Sequence, residues 1–151
     1  GYSCDYSIIA HDKPSEELLY LTDYFDLNKH VNFVNCKNQK EVYQYMKISD
    51  GLLLPSVGEG IANVVIEAMF IGLPVICSDL SGMEEIIIDE DNAFLFESRN
   101  SKDLESKMKK IIDLKKEKKD KIVKNARSLI KKNHSLDRLS MEMKELYKNL
   151  T

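Results

Sequence analysis

Apolar positions change their period along this chain, and the change divides it into elements. Five short runs rich in β-branched and aromatic residues read as strands: 6–10 (YSIIA), 31–35 (VNFVN), 52–55 (LLLP), 74–78 (PVICS) and 93–97 (AFLFE). Between the first four lie longer stretches with apolar residues three and four apart. Pro14 opens the first, with Glu16 and Glu17 in its first turn and Leu18, Leu19, Leu21, Tyr24 and Phe25 as its apolar face. Lys37 or Asn38 opens the second, which runs through Val42, Tyr45, Met46 and Ile48 to a break at Asp50-Gly51. The third runs from about Asn63 to Ile71 and stops at Gly72. A short helix or turn is expected near Ser81. From 101 onward the pattern is helical, with stripes at Leu104, Met108, Ile111, Ile112 and Leu114, at Ile122, Ala126, Leu129 and Ile130, and at Leu136, Leu139, Met143, Leu146 and Tyr147.

Strands alternating with helices predict an α/β fold, a Rossmann-like doubly wound parallel sheet with C-terminal helices. The length of 151 residues is that of one domain, and 43% apolar with 31% charged residues is the composition of an ordinary globular chain. The longest stretch free of strongly polar side chains, 68–77, contains Gly72 and Pro74 and is half the length of a membrane span. Cys4, Cys36 and Cys77 are too few and too scattered for a disulfide framework or a zinc site, which favours a reducing, cytoplasmic setting. Residue 1 is Gly and no signal peptide follows, so the chain reads as a piece of a longer protein.

Charge is unevenly placed. Residues 1–100 carry 6 basic and 17 acidic side chains, whereas 101–132 carry 13 and 5. The lysine-dense segment KKEKKDK at 115–121 reads as a solvated helix junction, and the interleaved acids and missing basic-aromatic pattern argue against nucleic acid. A peripheral position at a membrane surface is compatible with it.

Chemistry in an open parallel sheet belongs at the carboxyl ends of the strands, where helix N-termini present free amides. After the strand at 52–55, Gly58 and Gly60 flank Glu59 in a loop able to approach a ligand closely. Asn63 is a candidate N-cap that leaves the amides near Val64 and Val65 pointing outward, a corner suited to phosphate. The helix behind it is apolar nearly all round, with Glu67 its only ionisable residue, so it is expected to be buried. A buried carboxylate needs donors. A ribose diol would supply them, and so would a backbone loop or a lysine of the chain itself.

The segment from Asp50 to Ile86 resembles the donor-binding region of the retaining GT-B glycosyltransferases of group 1 (glycosyltransferase family 4), whose signature is two glutamates separated by seven residues. Glu59 and Glu67 have that spacing. Pro55-Ser56, Glu67-Ala68-Met69, Gly72-Leu73-Pro74-Val75, Ser78, Gly82 and Glu85 also fall where the family pattern has them. The resemblance covers roughly residues 6–97 strongly and the trailing helices weakly. It departs at Ala10-His11-Asp12-Lys13, where a Gly-rich turn is expected, at Ile61-Ala62, where an aromatic-Gly pair is common, and at Asn92-Ala93, in place of Asn-Gly.

The resemblance implies that Glu67 accepts hydrogen bonds from the ribose of a sugar nucleotide and that Glu59 contacts the transferred sugar as the catalytic residue. It implies that the backbone of Gly60, Ile61, Ala62, Asn63 and Val64 faces the sugar and its phosphate, and that Val34 and Asn35 hold the base. It further implies a UDP-, GDP- or ADP-sugar donor, transfer with retention, and no metal or other cofactor. The chain would be one domain, the carboxyl-terminal half of the enzyme. Its partners would be the donor, its own amino-terminal acceptor domain, which would lie outside these residues, and a saccharide or lipid-linked acceptor. The family's basic pair that clamps the diphosphate precedes the first strand read here, so the 151 residues alone are expected to lack transferase activity. An idle GT-B-like binding or assembly module, or a GT-B epimerase or phosphorylase, shares the architecture.

Overall fold

The computed structural model describes residues 4–10, 12–58, 62–79, 82–83 and 86–133. The chain divides into two compact units, Gly1–Ile48 and Ser49–Thr151.

In the first unit the order is β1 (Tyr6–Ala10), α1 (Glu16–Tyr24), β2 (Val31–Asn35) and α2 (Gln39–Ile48). The two strands are parallel, with Tyr6 opposite Val31 and Ala10 opposite Asn35, so both end at the same edge. Ser15 caps α1 by accepting from the Leu18 amide at 3.2 Å, one residue after the proline that opens it. At α2 the cap is reciprocal. Asn38 Oδ1 accepts from the Glu41 amide at 3.1 Å, while the Glu41 carboxylate accepts from the Lys37 amide at 2.8 Å and from Asn38 Nδ2 at 3.0 Å. The apolar face read for α1 lies mostly in solvent: Leu19, Leu21, Tyr24 and Phe25 are exposed, and Thr22 is the helix's buried residue, its hydroxyl bonded to the Leu18 carbonyl. Two strands are too little sheet to cover such a face.

The second unit is ordered β3 (Leu52–Leu54), α3 (Asn63–Ile71), β4 (Val75–Ser78), β5 (Phe94–Phe96), α4 (Ser101–Ile112) and α5 (Lys116–Asn133). Its sheet is parallel throughout, in the order β3-β4-β5. The central strand β4 buries all four residues, as a strand covered on both faces does. Ile76, Phe94, Phe96 and Ile122 form the core, and Leu53, Leu104, Met108, Ile111 and Leu114 pack on it. The first two C-terminal stripes thus pack inward as amphipathic stripes do, except for Ile112, which is exposed. The third, Leu136 to Tyr147, lies outside the described residues.

The helical region starts where the sequence reading places it, at 101, and differs from that reading in one break. Asn100, which accepts from the Asp103 amide at 3.1 Å, caps α4. The break between α4 and α5 falls at Asp113–Lys115, so most of the lysine-dense run forms the first turns of α5 instead of a junction. Parallel strands, with helices between β1 and β2 and between β3 and β4, make the architecture Rossmann-like α/β.

Candidate functional site

The loop after β3 and the helix that follows carry most of the candidate residues. Gly72 ends α3 in the left-handed conformation at φ 95°, where a residue without a side chain is favoured. Arg127 of α5 closes this end, its Nε donating to the Phe70 carbonyl at 2.9 Å and Nη2 to the Ile71 carbonyl. A Cβ on Gly72 would stand 2.6 Å from that guanidinium. A cation on the last carbonyls also suits the negative end of the helix dipole.

At the other end, no side chain among the described residues caps the helix. Ala62, not Asn63, is the N-cap, in extended conformation and with no side-chain hydrogen bond to the helix. Asn63 is the first helical residue and exposed; Ala62 is buried and Val64 half-buried. The Ala62 carbonyl accepts from Val65 at 3.0 Å, so the amides that precede Val65 belong to the unsatisfied first turn. An uncapped N-terminus of this kind attracts anions.

Glu67 stands one turn further along, at i+4 from Asn63 and on the same side of the helix. It is half-buried rather than enclosed. Among the described residues α3 buries Val65, Ala68 and Met69 against β3, β4 and α5, while Phe70 is 52% exposed. The expectation of an all-round buried helix is therefore corrected: α3 has a wet side, because a three-stranded sheet and one helix cover only part of it. A half-buried carboxylate is solvated in part, so its burial alone does not demand a ligand.

Glu59, Gly60 and Ile61 lie outside the described residues. Val34 and Asn35 end β2 in the first unit, Val34 half-buried and Asn35 exposed, opposite Ile9 and Ala10 of β1. The structure thus gathers Ala62, Asn63, Val64 and Glu67 on the first turns of α3 and places Val34 and Asn35 at a strand's carboxyl end.

Bonds at the carboxyl edge of the second sheet hold the surrounding backbone. The Ser78 hydroxyl donates to the Ser56 carbonyl, tying the end of β4 to the loop after β3. The Asp79 amide donates to the Phe96 carbonyl at 3.0 Å, and the Asp79 carboxylate accepts from the Ser98 amide at 2.9 Å. At the opposite edge, Asp89 pairs with the buried Lys107 at 2.6 Å and accepts from the Leu95 amide at 2.8 Å, and Glu90 pairs with Lys110. The hydrogen bond from Lys110 holds the Glu90 carboxyl below its ordinary range. Burial, with a smaller push from the Asp89 charge, raises the Cys77 thiol to about 12. These groups are structural.

Sequence reasoning missed Arg127 and the Ser78–Ser56 tie. The signal for the first was faint: it is the single arginine among the lysines of α5. Among the described residues no group of three or more His, Cys, Asp or Glu is arranged to hold a metal ion, and no helix is long and apolar enough to cross a membrane.

Known proteins with the same architecture and sequence pattern exist. The chain is 36% identical over 93 residues to the amylovoran biosynthesis glycosyltransferase AmsK of Erwinia amylovora, covering 58% of this chain and 23% of that one. It is 29% identical over 132 residues to the UDP-Gal:alpha-D-GlcNAc-diphosphoundecaprenol alpha-1,3-galactosyltransferase of Escherichia coli, covering 85% and 32%. Its fold matches the crystal structure of Anabaena Alr3699/HepE in complex with UDP-glucose, with a TM-score of 0.80 at 21% identity over 89% of this chain and 36% of that one. The chain thus spans about a quarter to a third of the length of these relatives. Residues 8–129 match the family described as glycosyl transferases group 1, and the chain belongs to that family.

Proposed function

We propose that this chain is the nucleotide-sugar-binding half of a retaining glycosyltransferase and works as one domain. The observation that carries the reading is the uncapped N-terminus of α3, following the β3 loop, with Glu67 one turn inside it. Support comes from the family match and from a fold neighbour whose crystals hold UDP-glucose.

In this reading the donor is a UDP-, GDP- or ADP-sugar. Its diphosphate and sugar lie against the amides of Gly60, Ile61, Ala62, Asn63 and Val64. Glu67 accepts hydrogen bonds from both ribose hydroxyls, and the backbone of Val34 and Asn35 holds the base. Glu59 bonds the hydroxyls of the transferred sugar, fixing its pose and countering positive charge that develops on the ring. The bond from the anomeric carbon to the diphosphate breaks and the electron pair leaves with the diphosphate; the oxygen of the acceptor hydroxyl bonds the anomeric carbon on the same face and its proton passes to the departing diphosphate oxygen. Two carboxylates beside one anomeric carbon would make a glycosidase pair. Here Glu67 serves the nucleotide end, so the chain supplies orientation and electrostatic stabilisation rather than a nucleophile. The acceptor domain and acceptor belong to the whole protein, which works in the cytoplasm in this proposal, and the 151 residues alone do not turn over donor.

The test uses a longer form of the protein that includes the preceding residues, titrated with UDP-, GDP- and ADP-sugars. Glu67→Gln is expected to weaken nucleotide binding at least about tenfold, the cost of one or two charge-assisted hydrogen bonds. Glu59→Gln is expected to lower kcat while leaving nucleotide affinity within about twofold. Negligible effects of both substitutions would overturn the assignment, as would donor turnover by the 151-residue chain.

A further inference from the structure

We propose that the solvent face of α5 is a docking surface for an anionic lipid bilayer. The helix runs from Lys116 to Asn133, about 27 Å at 1.5 Å per residue. It buries Ile122, Ala126 and Ile130 on one side. At about 100° per residue, Lys116, Lys118, Lys121, Lys124, Lys131 and Lys132 fall on the remaining arc, and all six are exposed. Glu117 and Asp120 are the acids of that arc. Among the described residues, none of the six lysines lies within ion-pairing distance of a carboxylate, whereas Lys107, Lys109 and Lys110 of α4 are all paired. Three of the four lysines of α4 are thus neutralised, whereas these six of α5 are left open.

The chemistry of the face selects the partner. The arc holds lysine, a strongly hydrated point charge, and its neighbouring Arg127 is committed to the end of α3. No aromatic ring lies between Lys116 and Asn133 to stack on a base. Ahead of the helix, Ile112, the last residue of α4, stands 47% exposed between Lys110 and Lys115 in the chain. An apolar side chain among lysines fits a surface with acyl chains beneath phosphates and gains nothing from a nucleic-acid backbone. A basin of about 700 Å³ beside it carries Lys102, Lys115 and Lys118 together with Asp113 and the paired Lys109–Glu105 and Lys110–Glu90, so it is mixed in charge and the open cations belong to α5. The face is independent of the α3 N-terminus, so it stands or falls separately from donor binding.

The test is co-sedimentation of the 151-residue chain with vesicles of phosphatidylcholine alone and with 30% phosphatidylglycerol. Binding is expected with the anionic vesicles alone and is expected to collapse between about 0.1 M and 0.5 M salt. Replacing Lys116, Lys118, Lys121 and Lys124 together by Gln is expected to weaken it at least about twentyfold, since each lysine near an anionic leaflet contributes roughly fivefold. Ile112→Ser is expected to weaken it about twofold. Circular dichroism and thermal melting of both variants check that these exposed changes leave the fold intact. Equal binding to neutral vesicles, unchanged binding by the four-Gln variant, or tighter binding to an RNA homopolymer than to the anionic vesicles at the same salt would each overturn the proposal.

Discussion

The two units bury their apolar residues very differently. The second gathers nearly every fully buried large side chain, including Phe94, Met69, Met83, Ile122, Val65 and Val75, whereas Cys36 is the one such residue of the first unit among those described. The first instead exposes Tyr20, Tyr24 and Phe25, whose rings touch one another at centroid distances of 5.9 and 5.1 Å. Similar sequence patterning therefore produces a core in one place and a wet apolar face in another. The difference is the number of strands: three parallel strands with helices around them enclose side chains, and two do not. The α3 site residues accordingly stand on the firmer unit, and Val34 and Asn35 on the softer one.

The largest expected effect is in the core of the second unit. Phe94→Ala removes a side chain that is 1% exposed and should cost about 3–5 kcal/mol in chemical denaturation. A cost below about 1 kcal/mol would abolish the contrast between the units. Next comes Gly72→Ala, expected to cost about 1–2 kcal/mol, because alanine is strained at φ 95° and its Cβ would displace the Arg127 guanidinium.

The pair joining Glu90 to Lys110 is half exposed and salt-screened, so Glu90→Gln should cost under about 1 kcal/mol at neutral pH. The sign with pH is fixed by the depressed Glu90 carboxyl. Its contribution is complete above the ordinary glutamate range and fades as pH falls through the lower folded value, so wild type and variant should converge below about pH 4. Smallest of all, Tyr24→Ser on the exposed α1 face should shift stability by less than about 0.5 kcal/mol. A loss several times larger would mean that this face is covered in solution. A labelling experiment sharpens the comparison without mutation. Cys77, buried and with its thiol raised to about 12, should resist alkylation at pH 8 until the second unit unfolds. Buried Cys36 reports in the same way on the first unit.

Much of this was legible from one sequence, for identifiable reasons. β1 and β2 have the limits their β-branched runs predict, and α3 ends where Gly72 permits a left-handed turn. The position of Glu67, one turn inside a helix behind a strand, followed from the same punctuation. Its degree of burial did not, because periodicity says which residues are apolar and not how many layers cover them. Asn63 looked like a cap by residue type, yet the backbone turns one residue earlier, at Ala62, whose side chain gives no signal. The break at Asp113–Lys115 lacks glycine and proline, so nothing local announced it. Arg127 was invisible because its partners are carbonyls some 56 and 57 positions away.

That long-range grip fixes how the carboxylate is aimed. With α3 anchored at Phe70 and Ile71, the heading of Glu67 is counted backward from the anchored end. Adding or deleting one residue between Glu67 and Gly72 would swing the carboxylate by about 100° while leaving its chemistry untouched. Spacing on the far side of the glutamate thus matters as much as the glutamate itself.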